Sequence, residues 1–228
     1  MDKTIFRSYI FWNSFLFISV LFSVFILPLL TVTWHQGLFR IVYSCIYFAA
    51  FFTLQKRSKY LITLFVVTLI LEWISNFFDL TALILISKSV NVLFFLVIVG
   101  SMIKQIATAH QVTANVILGS ITGYLLLGMI FSIFISVILT SDPTAYNINF
   151  SDASLSEERI KISIPMYYGF ITMTTVGYGD ILPLKPYTRS LATFIAVTGQ
   201  FYIAIIVALL VGKFTSQDHF SPNPENKE

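Results

Sequence analysis

The sequence predicts an all-α membrane protein: six transmembrane helices, with a short re-entrant helix and an extended, glycine-alternating segment between the fifth and sixth. Three observations carry this prediction. The 228 residues are 57% hydrophobic and only 11% charged, whereas a soluble domain carries about 25% charged residues. Six apolar stretches reach the roughly 17–25 residues needed to cross a bilayer core. Between the last two, residues 162–174 are apolar but too short to span, and Gly177 and Gly179 then alternate with Val176 and Tyr178. The formal charge of +3 is too small to suggest a nucleic-acid partner. Cys45 is the one cysteine, which excludes an internal disulfide and leaves the redox compartment unread.

The spans are read at about 9–33, 38–54, 60–78, 81–103, 114–139 and 188–213. Lys3 and Arg7 precede the first, as in a signal peptide. The apolar run after them reaches about twenty-five residues and lacks a small-residue cleavage site, so a retained helix is the better reading. With the amino terminus inside, Lys3, Arg7, Lys56, Arg57, Lys59, Lys104 and Lys213 all face the cytoplasm, as the positive-inside bias requires. Arg40, Arg159, Lys161, Lys185 and Arg189 fall outside and weaken the bias in the second half. Tyr9, Trp12, Trp34 and Tyr60 lie near span ends, where aromatic rings anchor at the interface. Residues 140–161, with Asp142, Asp152, Glu157 and Glu158, read as an extracellular loop. The polar tail 215–228 reads as disordered, cytoplasmic and too short for a ligand-binding domain. The chain therefore divides into a four-helix membrane region (1–112), a second region (113–214) and the tail.

A segment too short to span must re-enter, and non-helical backbone at that depth survives only where protein or water covers it. Pro165 suits the first turn of a short helix running to about Thr174, with Ser163 placed to help cap it. The carboxyl end of that helix carries partial negative charge and favours a cation losing its water. Beyond it, glycine admits positive φ at little steric cost, so successive carbonyls can turn to one side while Val176 and Tyr178 turn outward. The Thr175 hydroxyl adds an oxygen at the inner end. Asp180 at the mouth attracts cations. Tyr167 and Tyr168 sit where an aromatic cuff could reach Tyr178 or Asp180 and support the segment.

Thr175-Val176-Gly177-Tyr178-Gly179 reads Thr-Val-Gly-Tyr-Gly, a potassium selectivity-filter sequence. Over about 114–214 the chain resembles the tetrameric potassium-channel family: an outer helix, a pore helix ending Thr172-Met173-Thr174-Thr175, the filter, an exit containing Pro183 and an inner helix. The resemblance implies K+ sites formed by the carbonyls of Thr175, Val176, Gly177 and Tyr178 with the Thr175 hydroxyl, Gly179 completing the filter. It also implies a homotetramer with the pore on the fourfold axis. Gly199 falls where many members keep an inner-helix hinge glycine, with close helix packing as the alternative role. Gln200, Ile203 and Val207 would then line the cavity. Ile171 departs from the pattern, since some members have a carboxylate there behind the filter. Gly119 and Gly123 form a GxxxG pair that reads as helix packing.

The first four spans resemble in number the sensor half of six-span channels, but the fourth holds no arginine and one interior lysine, Lys88. One charge crossing 100 mV supplies about 2.3 kcal/mol, so four subunits reach at most ~9 kcal/mol against the tens used in steep gating. Voltage dependence is therefore expected to be weak or absent. Glu72, Asn76 and Asp79 share one face of the third span. Helix rise puts Glu72 and Lys88 at similar depth, roughly 10 Å below the outer surface. An intramembrane Glu72–Lys88 pair, with Asn91 nearby, is the resulting expectation, either as a structural clamp or as a vestigial sensor.

The sequence thus reads as a subunit of a potassium-selective channel that conducts passively in a bacterial plasma membrane, with K+, lipid and its own copies as partners. It is not an enzyme, and no cofactor is expected. His35, His110 and His219 are scattered and suggest no metal cluster. A modulatory subunit that conducts only in a hetero-oligomer is the nearest alternative. A secondary transporter is disfavoured, because transporters pair broken helices in both halves and only one half here has a re-entrant element.

Overall fold

The computed structural model describes residues 3–29, 32–54, 59–78, 80–109, 111–148 and 157–219. Lys56, Arg57, Asp79, His110, Asp152 and the tail beyond His219 lie outside the described residues. So do the side chains of Lys3, Arg7, Tyr9, Trp34, His35, Asn76, Glu157, Glu158, Arg159, Lys161 and His219.

The elements are α1 (Lys3–Leu21), α2 (Val32–Thr53), α3 (Lys59–Phe78), α4 (Thr81–Thr108), α5 (Ala114–Ser141), β1 (Tyr146–Ile148), α6 (Glu157–Met173), β2 (Ile181–Pro183) and α7 (Pro186–His219). Among the described residues, Ile10–Leu29, Ala82–Thr108, Ala114–Ser141 and Pro186–Thr215 are long and apolar enough to cross a membrane, and Gly37–Thr53 is a shorter apolar helix. The fold is mostly helical, in agreement with the sequence.

Three details differ from the sequence reading. The first apolar run is not one regular helix. After Leu21 it widens into a π-turn, Phe22–Ile26, and tightens into a 3₁₀ turn, Leu27–Leu29. Pro28 lacks an N–H and its ring crowds the carbonyl four residues back, which is the physical reason to leave α geometry there. Second, α6 begins at Glu157 and carries Pro165 in its interior. Glu157 and Glu158 occupy its first turn, where acidic residues suit the helix dipole. Ser163 is accordingly not a cap, and its hydroxyl is buried without a partner. Third, the segment that follows α5 has regular structure of its own. Pro143–Ala145 form a 3₁₀ turn, and β1 pairs antiparallel with β2 in the register Tyr146↔Pro183, Asn147↔Leu182 and Ile148↔Ile181.

Helix α5 is the shared wall of the molecule, packing against α1, α4, α6 and α7. The amino-terminal half closes on aromatic pairs: Trp12 stacks on Phe52 at 4.5 Å and Phe51 on Phe65 at 4.6 Å, with Tyr47, Phe94 and Phe95 fully buried. Polar bonds tie this half to α5. Asn13 of α1 donates to the Asn115 side chain at 2.7 Å and to its carbonyl at 3.0 Å. Lys88 of α4 donates to Ser136 at 2.8 Å and Thr140 at 3.3 Å. Glu72 of α3 accepts from Asn91 at 2.8 Å and Ser87 at 3.2 Å.

Candidate functional site

The carboxyl end of α6 sets the geometry of the segment beyond it. Thr175 N–H donates to the Thr172 carbonyl at 3.0 Å, and Val176 N–H to the Ile171 carbonyl at 2.9 Å. These are the two bonds of a Schellman motif, whose C′ residue adopts a left-handed conformation. That residue is Thr175, with φ 63°. A glycine usually fills the place, because a left-handed conformation costs an L residue about 1–2 kcal/mol. Gly177 N–H adds a further bond to the Ile171 carbonyl at 3.1 Å.

Positive φ then recurs at Gly177 (50°) and Gly179 (80°), with Val176 and Tyr178 between them outside the positive-φ set. Alternating left- and right-handed residues bring successive N–H groups to one side of a chain and its carbonyls to the other. The N–H groups at the start of the segment turn back to α6. Among the described residues, the carbonyls of Thr175, Val176, Gly177 and Tyr178 accept no hydrogen bond from the chain. The result is a run of backbone oxygens with open lone pairs, in a backbone conformation that lets them share one side. Such hard oxygens suit alkali and alkaline-earth cations rather than softer metals.

The side chains of this segment face away from their own chain. Val176 is 51% exposed and Tyr178 is 73% exposed. The two tyrosines of α6 diverge. Tyr167 donates to Asp180 Oδ2 at 2.6 Å, and Asp180 Oδ1 accepts from Ile181 N–H at 3.1 Å, so both carboxylate oxygens are engaged beside the segment. Tyr168 is buried and meets Tyr146 of β1 edge-on at 5.2 Å, which puts it under the two-stranded sheet. Hydrogen bonds fix the exit from the segment. Leu184 N–H donates to the Ala145 carbonyl at 3.0 Å, the Thr188 hydroxyl bridges Ala145 and Lys185, and Tyr187 donates to Asp142 Oδ2 at 2.7 Å. The Thr144 hydroxyl and then the Tyr187 hydroxyl hold the Asp142 carboxyl below its ordinary value.

Helix α7 packs against α6, whose end carries the segment. A Cβ placed on Gly199 would overlap the Met173 carbonyl and side chain, so the glycine permits close approach of α7 to the end of α6. Gly128 does the same for α5 against the Phe170 ring, and Gly123 for α5 against the Tyr202 hydroxyl. Gly119 lies near Asn13 instead, so the GxxxG pair serves two different neighbours. Gln200, Ile203 and Val207 are exposed along α7, while Ile195, Tyr202 and Ile206 form its buried face.

Sequence reasoning missed two features of this region. Thr175 gave no sign of positive φ, because the residue type argues against it. Lys213 reads in the sequence only as a charge closing the last span, yet its ammonium donates to three carbonyls of α4 and its end, those of Ile106, Ala107 and Ala109.

Residues 120–216 match a family model described as "Ion channel". Potassium voltage-gated channel subfamily A member 10 of Homo sapiens is 34% identical over 102 residues, which is 44% of this chain and 19% of that protein. Subfamily A member 6 of Homo sapiens is 32% identical over 101 residues, 43% of this chain and 18% of that protein. A potassium voltage-gated channel protein of Caenorhabditis elegans is 41% identical over 54 residues, 23% of this chain and 10% of that protein. The matched part is thus less than a fifth of each of these relatives. No solved structure matches the chain significantly. These matches bear out the resemblance to the potassium-channel family.

Proposed function

We propose that this chain is a subunit of a potassium-selective channel, six-spanning and homotetrameric, that conducts passively in a cell membrane. The observation that carries the reading is the run of carbonyls at Thr175, Val176, Gly177 and Tyr178 that accept no hydrogen bond among the described residues, in a segment with positive φ at Thr175, Gly177 and Gly179. Four such strands around an axis give rings of four oxygens that replace the hydration shell of K+. Helix α6 is the pore helix, and the negative end of its dipole faces the dehydrating ion. Helix α7 is the inner helix, with Gln200, Ile203 and Val207 towards the cavity.

The tetramer is favoured by what one chain leaves open. Val176 is 51% exposed and Tyr178 73% exposed in a single subunit, and a neighbouring copy would cover them. Phe194, Phe201 and Ile205 of α7 are exposed in the same way and are left for a neighbour or for lipid. The Tyr167–Asp180 bond holds the back of each strand. Gly199 acts as a packing residue, given the overlap a Cβ would make with Met173.

Voltage dependence is weak or absent in this reading. The relatives' names describe voltage-gated channels, but α4 of this chain carries two lysines, Lys88 and Lys104, and no arginine, and the Lys88 side chain is bonded to two hydroxyls of α5. The amino terminus and the tail are cytoplasmic, and no catalytic step is involved.

The test is the reversal potential of purified protein in a planar bilayer with potassium on one side and sodium on the other. A large shift favouring potassium is expected. Gly177→Ala, which forces a Cβ onto a φ of 50°, is expected to abolish it. Wild-type currents that reverse near zero would refute potassium selectivity.

A further inference from the structure

The last turn of α4 contains no basic residue of its own, although a helix carboxyl end presents unsatisfied carbonyls and partial negative charge. The cation comes from elsewhere. Lys213 of α7 reaches across and donates to the carbonyls of Ile106 at 2.6 Å, Ala107 at 2.7 Å and Ala109 at 2.6 Å. An ammonium has three protons and no acceptor, so this contact uses its whole donor capacity. The Gln105 carbonyl is met by the Ala109 N–H at 2.9 Å, so three of the last four carbonyls of α4 have donors.

The position matters as much as the chemistry. Ala109 opens the short connection that leads to α5 at Ala114. Lys213 therefore grips the point where the amino-terminal helices join the second half of the chain, and it does so from α7, the inner helix of the proposed channel. Asn13–Asn115 and Lys88–Ser136 also tie the amino-terminal helices down, but both bonds end on α5.

We infer that Lys213 is a latch between the pore-lining helix and the amino-terminal bundle, fixing the inner end of α7 to the carboxyl end of α4. The inference rests on the channel reading in one respect, that α7 lines the pore. Any gating movement of the inner end of α7 must either carry the end of α4 with it or withdraw the ammonium from three carbonyls. Lys213 is a positioning residue and touches no permeant ion.

Lys213→Met keeps the aliphatic stem and removes the charge and the donors. A twofold shift in the gating equilibrium per subunit multiplies to about sixteenfold over four independent latches. The ratio of open to closed time at fixed potassium is therefore expected to change at least tenfold, with unitary conductance and reversal potential unchanged. Lys213→Arg is expected to fall between Met and wild type, because a planar guanidinium cannot converge on three carbonyls around one point. A second readout needs no conduction. Spin labels at Thr108 and Thr215, in one labelled subunit per tetramer, should give a narrow distance distribution in wild type and a broader, longer one in Lys213→Met.

Unchanged label distances overturn the latch, and so does an unchanged ratio of open to closed time in a conducting Lys213→Met tetramer. A wild-type protein that passes no current while its label distances widen on Lys213→Met would keep the link between the helices and remove the channel reading instead.

Discussion

Tyr167→Phe removes one hydroxyl and leaves the ring. The lost bond runs from the phenol to Asp180 Oδ2 at 2.6 Å. A hydrogen bond to a charged group contributes about 1.5–3 kcal/mol when buried. Both side chains are only half-buried, so solvent competes and about 1 kcal/mol per subunit is the appropriate figure. Asp180 keeps its second bond, from Ile181 N–H, and the segment should stay folded in each chain. In a symmetric filter, four equivalent losses add to about 4 kcal/mol, or about 10³ in the balance between conducting and collapsed filters. Single-channel recording under sustained potassium reads this directly as the lifetime and frequency of long closures. Tyr167→Phe should lengthen or multiply them strongly, and Asp180→Asn should do the same. The double variant should be no worse than the more affected single variant, because both break one bond. Wild-type closures in Tyr167→Phe, or full additivity in the double variant, would refute the claim that this bond supports the segment.

Three other expectations can be checked independently. Gly199→Ala places a methyl onto the Met173 carbonyl, and overpacking of this kind costs about 1–3 kcal/mol per site; thermal dissociation of the purified oligomer should begin at lower temperature, and an unchanged profile would remove the packing role. Asp142 has a folded pKa lowered from 3.8, first by the Thr144 hydroxyl and then by the Tyr187 hydroxyl. Its contribution is therefore present above that value and lost as pH falls through the lower folded value. Protection of the Thr144 amide, measured against its intrinsic exchange rate at each pH, should be lost only in that acid range, and Asp142→Ala should lack it at neutral pH. Lys88→Gln retains a hydrogen-bonding group towards Ser136 and Thr140 while removing the charge; the opening-versus-voltage curve should not change slope, and a shallower curve would make α4 a sensor after all.

The parts of this fold legible in the sequence are those set by local chemistry. Apolar length located the helices, because each must satisfy its own backbone in lipid. Gly177 and Gly179 announced positive φ, because glycine has no steric reason to avoid it. The parts that were not legible depend on partners distant in the chain. The β1–β2 pairing joins Tyr146 to Pro183, and nothing in either tripeptide specifies the other. Thr175 takes a left-handed conformation against its own preference, because three N–H groups of the segment are held by the carbonyls of Ile171 and Thr172. The start of α6 was misplaced because Pro165 favours a first turn, while the acidic pair Glu157-Glu158 offered an earlier start. Lys213 looked like one more cytoplasmic lysine, since sequence reports its charge but not the three carbonyls it meets.

The distribution of polar bonds argues for where movement is possible in this molecule. Within a mainly apolar interior, a hydrogen bond between helices is an expensive thing to break and leave unmet. Asn13–Asn115 ties α1 to the start of α5, and Lys88–Ser136 with Lys88–Thr140 ties α4 towards its end. Sliding of the bundle along α5 would have to break both ties at once, so these bonds oppose relative movement of α1, α4 and α5. Helix α7 touches these helices differently. Near its start it is laced to the segment after α5 through Thr188 and Tyr187; midway Gly199 lets it press on the end of α6 and Tyr202 donates to the Ser120 carbonyl of α5 at 2.8 Å; near its end Lys213 holds α4. Below Tyr202 the exposed residues Ile203, Ile205, Val207 and Val211 dominate, and Lys213 supplies a polar tie to α4 at the end of that stretch. A lever pivoting near Gly199 and Tyr202 would therefore meet its polar resistance at Lys213.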